Sequence, residues 1–207
     1  MRSPSPPVRT SIPLTGWGRS MPSVCHVDTV TSDFQIRARV RQAGPRGVLA
    51  RGLGRSYGDA AQNAGGTVLD MTTRRSILSF DESAGEVHVE AGVSIDQLIH
   101  ELLPRGWFVP VSPGTRRVTV GGAIAADIHG KNHDQDGSFG AHVTELTLIT
   151  AEGQVRRLHR GEPLFWATVG GMGLTGVIVR ARLHREKTIP ENNNRVGLFF
   201  SRPKIMR

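Results

Sequence analysis

Three stretches of this chain place glycine where main-chain amides, rather than side chains, would do the binding. The first, RGLGRSYGD from Arg51 to Asp59, spaces Gly52, Gly54 and Gly58 as G-x-G-x-x-x-G and interleaves Arg51, Arg55, Ser56 and Tyr57. A backbone without Cβ turns left-handed freely and exposes successive N–H groups, which makes a nest for an anion. Each hydrogen bond to a charged group contributes roughly 1.5–3 kcal/mol, so a handful holds a phosphate-bearing ligand firmly. Arg55 and Ser56 could add a side-chain donor each, and Tyr57 an aromatic face. A glycine-rich hairpin with an exposed arginine is the competing reading, and these residues alone do not separate the two. They do argue against two common phosphate sites. The dinucleotide fingerprint needs G-x-G-x-x-G opening a helix, whereas DAAQNAGGT follows here, and no G-x-x-x-x-G-K-[ST] occurs.

The second stretch, residues 112–143, sets Gly114 after a proline, Gly121 and Gly122 after a threonine-valine pair, and small residues on to Ala126. Such a backbone lets a flat or extended ligand lie against it. It then delivers His129, Gly130, Lys131, Asn132 and His133 in a row. His129 and His133, with Asp134, Asp136 and His142 nearby, have a spacing that on a helix would put two imidazoles on one face. Gly130 and Gly137 argue against a helix and no H-E-x-x-H is present, so these read as loop histidines and no metal is assigned. The third stretch, LFWATVGGMGLTGVIV, holds Gly170, Gly171, Gly173 and Gly176 between a short helix and a strand. It serves either tight packing or the same ligand. Three glycine clusters separated by strands suit one long cofactor gripped by dispersed loops, and a flavin dinucleotide fits that better than a single phosphate.

The elements that must position these loops alternate in type. Phe34, Ile36 and Val40 have partial helical spacing before Gly44-Pro45. GVLARG and GTVLDM read as short strands. RSILSFDESAGEVHVEAG is a hairpin turning at Ala84-Gly85, with Val87 and Val89 on one face. The clearest helix starts from Ser94 as N-cap, has Asp96 in its first turn and an apolar stripe of Ile95, Leu98, Ile99 and Leu102, and ends at Pro104 and Gly106. VTVGGAIAAD is a small-residue helix or turn, VTELTLITAEGQVRRL a hairpin turning at Glu152-Gly153, EPLFWATVGG a short helix, and TGVIVRARLHRE a long strand. Strands outnumber helices and often meet through hairpins, which predicts α+β rather than a doubly wound parallel sheet. Residues 1–13 read as a disordered tail, 14–184 as the domain, and 185–207 as an irregular tail.

Composition narrows the partners. At 207 residues with 38% hydrophobic and 21% charged content, the chain can bury a core. The net charge of +8 raises nucleic acid or an anionic ligand, but the arginines are spread among acids and form no long block, so they read as a solvated surface and no nucleic acid is assigned. Cys25 is the single cysteine, which excludes an internal disulfide and fits a reducing compartment. The sequence carries neither a signal-peptide core nor a stretch of the ~20 apolar residues that a membrane span needs.

RGLGRSYGDAAQN, PGTRRVTVGGAIAADIHGKNHDQDGSFGAHV and PLFWATVGGMGLTG, with LTGWGRSMPS near the N-terminus, resemble the vanillyl-alcohol-oxidase-like flavoproteins with a PCMH-type FAD-binding domain. The resemblance runs from about residue 14 to 184, and DIHGKNH is specific enough to point to the branch that oxidises polyprenylphosphoryl ribose. It implies an α+β domain of two small α+β subdomains with FAD, bound non-covalently, between them. By the same resemblance Arg51, Gly52, Leu53, Gly54, Arg55, Ser56, Tyr57, Gly58 and Asp59 clasp the pyrophosphate and Ala60 continues the contact. Gly114, Thr119, Val120, Gly121, Gly122, Ala126, Asp127, Ile128 and His129 line the cofactor toward the isoalloxazine, and Ile178 meets the adenine end. The implied reaction oxidises the 2-hydroxyl of a lipid-linked ribose to a ketone in cell-wall arabinan synthesis, with hydride passing to flavin. His129 and Lys131 are the catalytic candidates.

The implied partners are a lipid-linked sugar phosphate and a partner reductase, with room for peripheral contact with a membrane, and the implied location is the cytoplasm or the membrane surface of the envelope. The chain departs from the family in its short RLHRGEPLFW connection and in residues 185–207, which stand where a substrate domain begins. The expectation is therefore an incomplete oxidase. An FAD-binding remnant without turnover and a related sugar or aldonolactone oxidase are the alternatives.

Overall fold

The computed structural model describes residues 9–184 together with Glu186–Lys187. Strands β1 (Arg9–Leu14), β2 (Ser23–Thr29), β3 (Val48–Arg51) and β4 (Thr67–Asp70) form one sheet in the order β1-β2-β4-β3. β1 runs antiparallel to β2, but β2 and β3 both flank β4 in parallel. Parallel neighbours cannot be joined by a tight turn and need a long crossover. Helix α1 (Asp33–Arg41) lies on the path from β2 to β3. The crossover from β3 to β4 is residues 52–66, which contain the first glycine loop. Topology alone therefore sends that loop out over one end of the sheet.

The second sheet is antiparallel, ordered β5-β6-β10-β8-β9: β5 (Ile77–Asp81), β6 (Glu86–Glu90), β8 (Val143–Ile149), β9 (Val155–His159) and β10 (Val177–His184). Between its strands the chain forms α2 (Ile95–Leu102), β7 (Trp107–Phe108), α3 (Val120–Ala125), α4 (His133–Asp136) and α5 (Pro163–Thr168); β11 (Glu186–Lys187) pairs with β7. The larger core packs Val87, Val89, Leu146, Ala181 and Leu183 of this sheet against Leu98, Ile99 and Leu102 of α2, Ile124 of α3 and Phe165 of α5. The α2 stripe is buried as its spacing predicts, and the Ser94 hydroxyl accepts from the Gln97 amide at 3.0 Å.

A smaller apolar cluster joins the sheets. Ile36 of α1, Leu69 of β4 and Met71 meet Ile149, Val177 and Val179 of the second sheet. A bulge between Ile178 and Arg180 lets β10 serve both clusters, with Ile178 on the larger core and Val179 on this seam. Around the seam lies an ionic network. Arg74, only 4% exposed, pairs with Asp33 of α1 and with Glu90 of β6, and Arg180 of β10 pairs with Asp33 at 2.6 Å. Burial opposes ionisation of Asp33 and Glu90. It is outweighed at Asp33 by hydrogen bonds and charge from Arg74 and Arg180, and at Glu90 by the Ser76 amide and Arg74, so both pKa values lie below their ordinary 3.8 and 4.5.

Three sequence expectations change. The segment taken as a tail supplies β1 from Arg9 onward, held because the fully buried Asp28 of β2 takes Arg9 at 3.3 Å and Arg39 of α1 at 2.7 Å. Residues 1–8, Arg185 and residues 188–207 lie outside the described residues, so the rest of both tail expectations lies there too. The first sheet contains parallel pairs, where hairpins dominated the reading. On α1, Phe34 is 63% exposed while Gln35 and Ile36 are buried.

The network makes two measurable statements. Arg74→Met leaves Glu90 and part of Asp33 without their countercharge, and a loss of about 3–5 kcal/mol is expected in urea denaturation at pH 7. Because both carboxylates titrate lower in the folded state, their stabilisation is complete above their ordinary pKa values and is lost as pH falls through the depressed ones. The acid limb of the stability profile should therefore be shallower in Arg74→Met than in the parent chain.

Candidate cofactor site

Arg51 ends β3 and anchors the first glycine loop. Its guanidinium donates to the Thr15 carbonyl and to the Ala61 carbonyl, each at 2.7 Å, so one side chain straddles the loop and the segment before β2. Burial lowers its pKa, opposed by the neighbouring Cys25 and Asp70. The Trp17 amide donates to the Ser56 carbonyl at 2.7 Å, and a Cβ on Gly16 would sit 2.1 Å from the Gly58 carbonyl oxygen. Backbone thus lies directly on backbone. Arg55 stacks over the Trp17 ring at 4.6 Å and donates to the Arg117 carbonyl at 3.2 Å. Gly54 has φ +66. Among the described residues, none of the main-chain amides from Leu53 to Gly58 donates a hydrogen bond. Such a run of unpaired donors at a crossover is what an anion nest requires.

The second cluster meets the first at close range. Thr119 is buried and caps α3 through the Gly122 amide at 3.4 Å. A Cβ on Gly52 would stand 2.2 Å from its Oγ1. The Gly121 amide donates to the Ala91 carbonyl at 2.8 Å, and a Cβ there would lie 2.9 Å from the Ala91 Cβ, which fixes α3 against the end of β6. The third cluster closes the other end of α3: the amides of Gly170 and Met172 donate to the carbonyls of Ile124 and Ala125 at 3.0 and 2.8 Å. Met172 and Gly173 turn left-handed there, at φ +51 and +79.

One cavity results, with walls from both sheets and all three clusters. Arg51, Gly52, Leu53, Gly54, Arg55, Ser56, Ala60, Thr119, Gly121, Gly122, Ala126, Ile128 and Ile178 line it. Other expected residues stand apart from the lining. Tyr57 is 85% exposed, which removes it as an aromatic wall, and Gly58 and Asp59 are exposed beyond the turn. Gly114 lies on the exposed approach to α3, Val120 is wholly within the larger core, and Asp127 spends its carboxylate on the Gly140 amide at 2.8 Å. His129 and Lys131 are exposed and follow Ile128 out of the cavity. His129 bridges to Ser138, and its ring meets that of His133 edge-on at 5.4 Å. A helix does form in this loop despite its glycines, but α4 starts at His133, so the two imidazoles do not share its face. Sequence reasoning missed Ala50, Met71, Ala91 and Met172, which also line the cavity. Ala50 sits two residues before Gly52 on β3, a spacing that could have found it; Met71 and Ala91 carry no such signal.

A diphosphate-bearing flavin fits these residues, because the unpaired amides sit where side chains are excluded and the remaining wall is small and apolar. Gly52→Val is expected to push Thr119 from its place and to weaken FAD uptake by at least about tenfold, a change of roughly 1.4 kcal/mol. Quenching of flavin fluorescence on titration reads this, with Gly161→Ala, where an added Cβ meets nothing within 4 Å, as the silent control.

Comparison with known proteins points to the same cofactor. The family model described as FAD binding domain matches residues 26–159. The decaprenylphosphoryl-beta-D-ribose oxidase of Mycolicibacterium smegmatis is 56% identical over 181 residues, covering 84% of this chain and 39% of the relative. The L-gulono-1,4-lactone dehydrogenase of Mycobacterium tuberculosis is 31% identical over 162 residues, 77% of this chain and 36% of that one, and cytokinin dehydrogenase 10 of Oryza sativa subsp. japonica is 32% identical over 165 residues, 73% and 29%. The chain thus spans well under half the length of these relatives. With its glycine loops gathered on one cavity, the chain belongs to the family of FAD-binding domains of α+β, PCMH type.

Proposed function

We propose that this chain is the FAD-holding part of an oxidoreductase that oxidises a secondary alcohol of a sugar, and that the sugar is the ribose of a polyprenyl phosphate, oxidised at its 2-hydroxyl. The observation that carries this is the convergence of three glycine clusters on one cavity. FAD, when bound, accepts the hydride that leaves the carbinol carbon. The chain's own residues do the rest. Amides from Leu53 to Ser56 would hold the diphosphate, with the Arg55 side chain beside them. The wall from Thr119 to Ile128 excludes water from one side and orients the ring. His129 would take the hydroxyl proton. Lys131 has no ion-pair partner among the described residues and is free to meet the substrate's phosphate. FAD would be held without a covalent bond, with His129 unbonded to it.

The reading extends to a lipid-linked sugar phosphate as substrate, to a reductase that returns the flavin to its oxidised state, and to peripheral contact with the membrane that carries the lipid. No helix among the described residues is long and apolar enough to cross a membrane. The place of the reaction in cell-wall arabinan synthesis follows from the same substrate. A second reading, an FAD carrier without turnover, is favoured by one observation: His129 and Lys131 are absent from the cavity lining.

Stopped-flow absorbance separates them. The purified chain should take up FAD and show the visible flavin bands, and anaerobic mixing with a polyprenylphosphoryl ribose should bleach them. Persistent yellow colour under those conditions establishes the second reading, and a chain that stays colourless in excess FAD overturns both.

A further inference from the structure

We propose that Asp127 is a positioning residue: its carboxylate fixes the neck of the loop that carries His129 and Lys131, and so sets where those groups stand relative to the cavity wall that ends at Ile128. The inference rests on the reading of that cavity given above. Asp127 has φ +41. Its amide donates to the Ile124 carbonyl at 3.0 Å and the Ile128 amide to the Ala123 carbonyl at 3.1 Å, the paired bonds that close a helix through one left-handed residue. Glycine is the ordinary occupant of that position, because a Cβ is strained there. A chain with 25 glycines nevertheless places aspartate at it. The side chain must therefore do something glycine cannot.

What it does is visible in the pairing of the loop. His129 bridges to Ser138, and the Phe139 amide donates to the Ile128 carbonyl at 2.8 Å, so the two sides of the loop run antiparallel as they leave the cavity. The next rung inward would join residue 127 to residue 140. The left-handed turn takes the Asp127 main chain out of that ladder, and its Oδ1 continues the tie between the two sides by taking the Gly140 amide at 2.8 Å. The joint is tight. A Cβ on Gly140 would lie 2.3 Å from Val169 Cγ1 and 2.9 Å from Asp127 Oδ1, and a Cβ on Gly170 would lie 3.5 Å from the Asp127 Cβ. The carboxylate thus ties the α3 end, the loop neck and the third glycine cluster at one point. The tip is secured separately, by the Asn132 amide donating to the Pro110 carbonyl at 2.9 Å.

Two substitutions separate the side chain from the backbone shape. Asp127→Gly keeps the left-handed turn and deletes the acceptor; Asp127→Asn keeps both the turn and an acceptor oxygen. Amide hydrogen exchange of the FAD-free chain is the first readout. In Asp127→Gly, exchange across residues 129–140 should rise by at least about tenfold, as loss of a hydrogen bond to a charged acceptor predicts, while the thermal midpoint and exchange in α2 stay at parent values. In Asp127→Asn it should return to within about threefold of the parent. The second readout is the visible spectrum and midpoint potential of bound flavin, shifted in Asp127→Gly and restored in Asp127→Asn. Unchanged exchange in Asp127→Gly, or equal acceleration in both variants, overturns the proposal. Failure of the parent chain to bind FAD overturns the cavity reading alone, because exchange is measured without it.

Discussion

A buried guanidinium governs the arrangement of this molecule. Arg74 lies between the two sheets and reaches a carboxylate on each side, Asp33 on α1 and Glu90 on β6. An arginine so enclosed cannot shed its charge, so it tolerates one mutual placement of the sheets, the one that satisfies it. The apolar seam of Ile36, Leu69, Met71, Ile149, Val177 and Val179 supplies adhesion beside it, but apolar contact has no direction and allows sliding. The cavity needs that precision. Its lining comes from Ala50 and the loop after β3 on one side, and from α3 and Ile178 on the other.

The second theme is recognition by main chain. Where Gly52 touches Thr119 and Gly121 touches Ala91, there is no room for a methyl group, and the surface offered to a ligand is amide and small apolar side chain. Polar side chains near the cavity are occupied with structure instead. Arg51 holds Thr15 and Ala61, Thr119 caps α3, and Asp127 holds Gly140. His129 and Lys131, the groups proposed to act on the substrate, come after Ile128, on the exposed side of the loop. In the proposed function, binding and chemistry are divided along the chain, with the division at the end of α3.

Much of this was legible in the sequence, for local reasons. The α2 stripe and the Ser94 cap lie within one short window, and the hairpins at Gly85 and Gly153 are marked by glycines that take φ +61 and +72. The glycine clusters announced a backbone site because their density has few other uses. What stayed hidden depends on distant partners. β3 and β4 are four-residue runs whose parallel pairing no local pattern encodes. β1 looked like a tail because RTSIPL has little character until Asp28 and Arg39 stand beside it. Residue-by-residue transfer along a motif also ignores which way each side chain points. Val120 sits inside the same motif as Gly121 and Gly122, yet the first turn of α3 aims it into the core while its neighbours face the cavity.

The crossover between β3 and β4 couples loading to folding. An edge strand of four residues is joined to its neighbour through the very segment whose amides are proposed to hold the diphosphate. Whatever fills that segment also restrains the connection and adds its binding free energy to the folded state, about 2.7 kcal/mol at a hundredfold excess over the dissociation constant. The ligand-free chain would then be the form that opens more often to proteolysis.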